Sequence, residues 1–175
     1  MLLLASAAAV PQQAVTRYTV EIVVFRYAGT AGAFAGSVPA ETDEDVEITP
    51  VPSRKLAGAA NRLKSNGMKI LAHTAWTQSP LACEGKVCRE SFRGASATQL
   101  GLAKAGIIGE VSLQRGGRFL HLGVDLTVED GGRRYRIQEV RQVKADQAQY
   151  FDHPGIGVLA LVTAAPADPA GNTKP

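Results

Sequence analysis

The sequence predicts an α+β fold, a mostly antiparallel β-sheet with one or two helices packed on one face. Three observations support this. Residues 17–27 are dense in β-branched and aromatic residues and show no helical stripe, and residues 68–77 read as a second strand. A helical stripe is clear only in the segment opened by Ser53. Beyond residue 106 the pattern becomes a series of apolar runs broken by Gly116-Gly117 and Gly131-Gly132, as in a meander. A chain of 175 residues, 45% hydrophobic and 20% charged, fits one ordinary globular domain with a real core. The organisation expected is a leader over residues 1–14, one domain over 15–164 and a disordered tail over 165–175.

Each element follows from its residues. Leu2-Leu3-Leu4 runs into small residues up to Val10, and Pro11 then breaks the run. This apolar start reads as a secretory leader cleaved between Ala9 and Ala14, although Met1 leads straight into leucine without a basic stretch. A frayed apolar tail is the competing reading. The run is far shorter than the ~20 residues of a bilayer span, and no later stretch offers one. Residues 17–27 (RYTVEIVVFRY) form the clearest strand, apolar on both faces and therefore central in its sheet. Residues 28–52 are rich in glycine and alanine, then acidic, and predict a long surface excursion with a short edge strand at Val46-Glu47-Ile48.

Ser53 is the expected N-cap of a helix in which Leu56, Ala59, Ala60 and Leu63 share one face and Gly67 supplies the stop. In the strand over 68–77, Met68, Ile70, Ala72, Thr74 and Trp76 are assigned to one side and the remaining residues to the other. Residues 79–105 are hard to read, with a helical turn suggested over 99–104. Strands follow at 107–113 and 119–129. In the second, Leu120, Leu122, Val124, Leu126 and Val128 point inward, while His121, Asp125, Thr127 and Glu129 point out. Asp130-Gly131-Gly132 turns the chain into a strand over 135–144. A corner at residues 150–155 leads into a last buried strand over 157–163.

Cys83 and Cys88 flank a polar turn and have no other cysteine to pair with. In an oxidising compartment they close a small loop worth about 2 kcal/mol. A metal site needs two more ligands at recognisable spacing, which the chain does not offer, and two idle thiols are the plainer alternative. The formal charge of +3 and pI near 9.0 suit loose attraction to an anionic surface. They fall short of the clustered basicity of a nucleic-acid binder, and export removes the nucleic acid.

No nucleophile elbow, zinc-helix motif, P-loop or dinucleotide fingerprint stands in its structural context, so the residues predict a binding protein, not an enzyme, with no cofactor and no metal. The strongest catalytic alternative, a hydrolase, would combine His121 and Asp125 with Asp152 and His153. Four residues along a strand, however, put His121 roughly 13 Å from Asp125. Asp152-His153-Pro154 reads first as an Asx-type turn that stiffens the corner, and second as a ligand contact. Trp76 reads as a core residue or, with Tyr150, as a stacking platform for sugars. Arg133, Arg134, Arg136, Arg141 and Lys144 form a solvated basic face or a dock for an anionic partner.

At these residues the sequence resembles the CsiV family of periplasmic peptidoglycan-binding proteins. The resemblance is carried by residues 18–25 (YTVEIVVF), 71–78 (LAHTAWTQ), 118–122 (RFLHL) and 150–159 (YFDHPGIGVL). Phe119 stands where the family pattern has tyrosine, Gln149 where histidine is usual, and residues 140–150 follow the pattern only loosely. The resemblance implies a periplasmic, non-catalytic protein that binds peptidoglycan and supports cell-wall synthesis. It also implies a link to an outer-membrane lipoprotein activator of penicillin-binding proteins. The candidate ligand-binding residues are Trp76, Arg118, His121, Arg136, Tyr150, Asp152 and His153. An envelope adaptor that docks a protein partner without touching glycan is the reading from a different class.

Overall fold

Strand β1 (Tyr18–Arg26) explains the architecture, because both of its faces are buried. Tyr18, Val20, Ile22 and Val24 enter one apolar cluster, and Val23 and Phe25 enter another on the opposite side. A strand apolar at both parities needs cover on both sides. In the computed structural model, which describes residues 17–29, 52, 54–84, 97–99, 102 and 105–166, that cover is a second sheet on one side and a helix on the other.

The first sheet has the order β2-β1-β9-β8, all antiparallel, with β2 at Lys69–Gln78, β8 at Gln149–Asp152 and β9 at Ile156–Ala164. The second is built on β5 (Ile107–Gly116), β6 (Phe119–Asp130) and β7 (Arg133–Val143), paired in that order. Two short strands lie along the other edge of β5, namely β3 (Leu81–Ala82), which runs parallel to it, and β4 (Ala97–Gln99), antiparallel. The expected meander is therefore present, but the strands divide between two sheets. The main core lies between them: Val20, Ile22, Val158 and Val162 from the first sheet meet Val111, Leu122, Val124 and Leu126 from the second. Each such side chain contributes about 1.5–3 kcal/mol relative to exposure.

The hairpin between β6 and β7 has the two-residue turn expected, with Gly131 and Gly132 at φ 60° and 75° between the paired Asp130 and Arg133. Two left-handed residues in succession match the twist of the flanking strands, a conformation that glycine adopts without steric cost. Asp130 also ties the sheets together at this end, bridging Arg26 of β1 at 2.9 Å and Lys69 of β2 at 2.7 Å.

Helix α1 (Ala57–Ser65) lies on the outer face of the first sheet, where Leu56, Ala60 and Leu63 meet Val23, Phe25, Ile70 and Leu161. Its C-terminus stops as expected: Gly67 has φ 81°, and Met68 N–H reaches the Leu63 carbonyl at 3.1 Å in a Schellman pattern. Its N-terminus does not. The helix begins at Ala57 with Leu56 in the capping position and no cap from Leu56 itself, and Ser53 lies outside the described residues.

The faces of β2 also differ from the simple alternation. Val24 pairs with Ala72 and Phe25 with Ile70, so Leu71 is an extra residue. This bulge moves Met68 and Ile70 to the helix side, whereas Leu71, Ala72 and Trp76 stay toward the inter-sheet core. Gln99 closes the short strand β4 where a helical turn was expected. The edge strand expected at Val46-Glu47-Ile48, the leader and the tail beyond residue 166 lie outside the described residues. Among the described residues no helix is long and apolar enough to cross a membrane.

Candidate ligand-binding site

The seven candidate residues fall in three places. Trp76 is in the core, 2% exposed, with its indole N–H donating to Gln78 Oε1 at 2.5 Å. A ring closed in by core neighbours has no open face for a sugar, so the stacking role assigned to Trp76 is corrected to packing.

Arg118 is in the first hairpin of the second sheet, and His121 and Arg136 belong to that sheet's outer side. Arg118 sits in the turn between β5 and β6, with its guanidinium 5.0 Å from the centre of the Phe119 ring, which is 42% exposed. His121 points away from the core as expected but is buried, in register with Gln114 and Gln142. Arg136 forms a two-pronged ion pair with Asp125, both contacts at 3.1 Å, and Gln138 adds a third donor to that carboxylate at 3.0 Å. Asp125 is thus engaged by its cross-strand neighbours.

Tyr150, Asp152 and His153 form the third group, where β8 turns into β9. The Tyr150 and Tyr27 hydroxyls both donate to Asp152 Oδ1, at 3.0 Å and 2.7 Å. The Tyr150 ring, 38% exposed, stacks on the buried Phe25 at 6.1 Å between centroids and 11° between planes. Gly157 makes the stack possible, since a Cβ there would stand 2.5 Å from the Phe25 ring and 3.0 Å from that of Tyr150. Burial and the adjacent Asp152, which accepts the phenol's hydrogen bond and opposes a second negative charge, push Tyr150 up to about 12. It therefore remains a donor at any physiological pH.

The corner itself is not the Asx-type turn expected of Asp152, which is exposed and directed to the tyrosines. His153 takes that part: its Nδ1 accepts the Gly155 N–H at 3.2 Å, and its backbone exchanges hydrogen bonds with Ile156 at 3.1 Å and 3.2 Å. Burial lowers the His153 pKa below its ordinary 6.5, outweighing the opposing pull of Asp152. Gly155 lies against Tyr135 so closely that a Cβ would come within 2.2 Å of that ring. The hydrolase combination is not assembled, because His121 and Asp125 are on the outer side of one sheet and Asp152 is on the outer side of the other. Among the described residues no three His, Cys, Asp or Glu side chains gather as a metal site.

One buried group was not anticipated. Glu21, 1% exposed, accepts the Lys55 and Leu56 backbone N–H groups, each at 3.0 Å, and pairs with His73 Nε2 at 2.7 Å. A carboxylate from β1 thus takes the place of a local cap for α1, where a negative charge is also favoured by the helix dipole. The signal available in the sequence was a single charge inside the apolar run YTVEIVVF.

Cys83 is not a free thiol, and its backbone N–H pairs with the Arg115 carbonyl at 2.9 Å; Cys88 lies outside the described residues. No curated protein and no solved structure matches the chain. A family model described as "Peptidoglycan-binding protein, CsiV" matches residues 38–165. That stretch holds three of the four blocks on which the resemblance rested, including the corner with Tyr150, Asp152 and His153, while the block over 18–25 precedes it. With most of the chain matched, the protein belongs to the CsiV family of peptidoglycan-binding proteins.

Proposed function

We propose that this protein is a non-catalytic, periplasmic peptidoglycan-binding protein that supports cell-wall synthesis. The observation that carries the reading is the family match over residues 38–165. The exposed Tyr150 ring beside Asp152 supports it, since a flat aromatic surface next to a hydrogen-bonding group suits a glycopeptide. On this reading the leader is a secretory signal, and Cys83 and Cys88 form a disulfide in the exported chain. An outer-membrane lipoprotein activator of penicillin-binding proteins is the proposed protein partner.

The test is co-sedimentation of the purified mature protein with intact sacculi at low salt and at about 0.5 M salt, where screening is far stronger than over the ~8 Å of physiological strength. Retention at both salt levels is expected, with no release of soluble muropeptides. Loss of all retention in salt would reduce the interaction to loose charge attraction and favour the adaptor reading. Muropeptide release would overturn the non-catalytic part. Mass spectrometry of the same unreduced protein should show both thiols blocked; two free thiols would refute the disulfide.

A further inference from the structure

We infer that Tyr150, Tyr27 and Asp152 form a binding site for a primary ammonium group, of the kind carried by a diamino acid in a peptide not yet cross-linked. The inference rests on the peptidoglycan reading and names the part of the polymer that this site takes. Its geometry comes from three elements. Phe25 of β1 supports the Tyr150 ring from below, and Gly157 of β9 leaves room for the stack. Tyr27, just beyond β1, meets Phe25 edge-on at 5.6 Å and brings its hydroxyl to the same carboxylate oxygen.

The hydrogen bonding of the carboxylate narrows the ligand chemistry. Both tyrosine hydroxyls donate to Oδ1, and Oδ2 has no partner among the described residues. No Lys or Arg of the described residues pairs with Asp152, in contrast to Asp125, Asp130 and Asp146, each of which has a cation. The neighbouring His153 does not fill that role, because its burial favours the neutral imidazole. An exposed anionic oxygen with an open lone pair attracts a cation through charge and also accepts its N–H. A neutral sugar hydroxyl would satisfy the acceptor and leave the charge unmatched. An ammonium group satisfies both.

The experiment compares intact sacculi with sacculi whose free amines have been acetylated, using wild-type protein and the variants Asp152→Asn and Tyr150→Ala. Asparagine keeps an oxygen acceptor for the tyrosine hydroxyls and removes only the charge, and melting curves verify that each variant is folded. Acetylation is expected to weaken wild-type retention about five-fold, the upper range for one exposed ion pair. Asp152→Asn should bind untreated sacculi as weakly as the wild type binds acetylated ones, with little further loss on acetylation. Equal wild-type retention on both kinds of sacculi would overturn the ammonium site and leave the peptidoglycan reading standing. Absence of wild-type retention on both kinds of sacculi would overturn both readings.

Discussion

The two sheets share one core yet treat their other faces in opposite ways. Outside the first sheet, Val23, Phe25, Ile70 and Leu161 lie beneath α1, and the one acid among them, Glu21, is matched by two backbone N–H groups and His73. Outside the second sheet the side chains are mostly polar and include Ser112, Gln114, His121, Asp125, Thr127, Arg136 and Gln138. Four of these, Ser112, Gln114, His121 and Thr127, are nevertheless buried. A helix leaves no water behind it, so any polar group on the covered face needs a fixed partner. On a polar sheet face, neighbours can partner one another across the strands, as Arg136, Asp125 and Gln138 do. The difference predicts that one substitution on the first face costs more than one on the second.

The largest effect should come from Glu21→Ala. Removing the carboxylate strands the buried Leu56 N–H, the part-buried Lys55 N–H and the His73 partner, at a cost of about 3 kcal/mol. For a domain of this size that lowers Tm by roughly 10 °C. Thermal unfolding followed by circular dichroism measures it, and a drop no larger than that of a surface substitution would remove Glu21 as the cap of α1.

Arg136→Ala breaks a partly buried ion pair, but Gln138 still donates to Asp125, so the expected loss is only about 1 kcal/mol. Urea unfolding of the two variants in parallel sharpens the comparison. An Arg136 penalty equal to that of Glu21 would show that the polar face is as tightly constrained as the helix-covered one.

The smallest effect concerns the corner. The folded-state pKa of His153 is lowered, so the unfolded chain binds the proton more readily. Stability contributed by the neutral imidazole is therefore present above the ordinary value of 6.5 and is lost as pH falls through that value toward the folded one. Protonation also removes the acceptor for Gly155 N–H. A Tm profile from about pH 7.5 to about pH 5 should fall less steeply for His153→Gln than for the wild type. Identical profiles would mean that the imidazole is not what titrates.

Much of the fold was legible locally. The two-faced apolar run of β1, the alternation of β6, the Asp130-Gly131-Gly132 turn and the Gly67 stop each report on neighbours a few residues apart, and each is found where its pattern placed it. The site was less legible. His121 and Arg136 are on the outer side of one sheet and Tyr150 and Asp152 on that of the other, which nothing in their spacing along the chain could show.

What the sequence by itself determined is the periodicity of each strand, the turns that join them and the family pattern over most of the domain. Tertiary structure alone decided what stands opposite each face. It put Trp76 inside, shifted Met68 and Ile70 to the helix side through one bulge, gave α1 a cap from a strand more than thirty residues away, and joined Tyr27 to Asp152 across 125 residues of chain. The physical reason is that alternation divides a strand into two sides without saying which side meets a sheet, a helix or water. That choice depends on contacts between residues far apart in sequence, which local pattern does not encode.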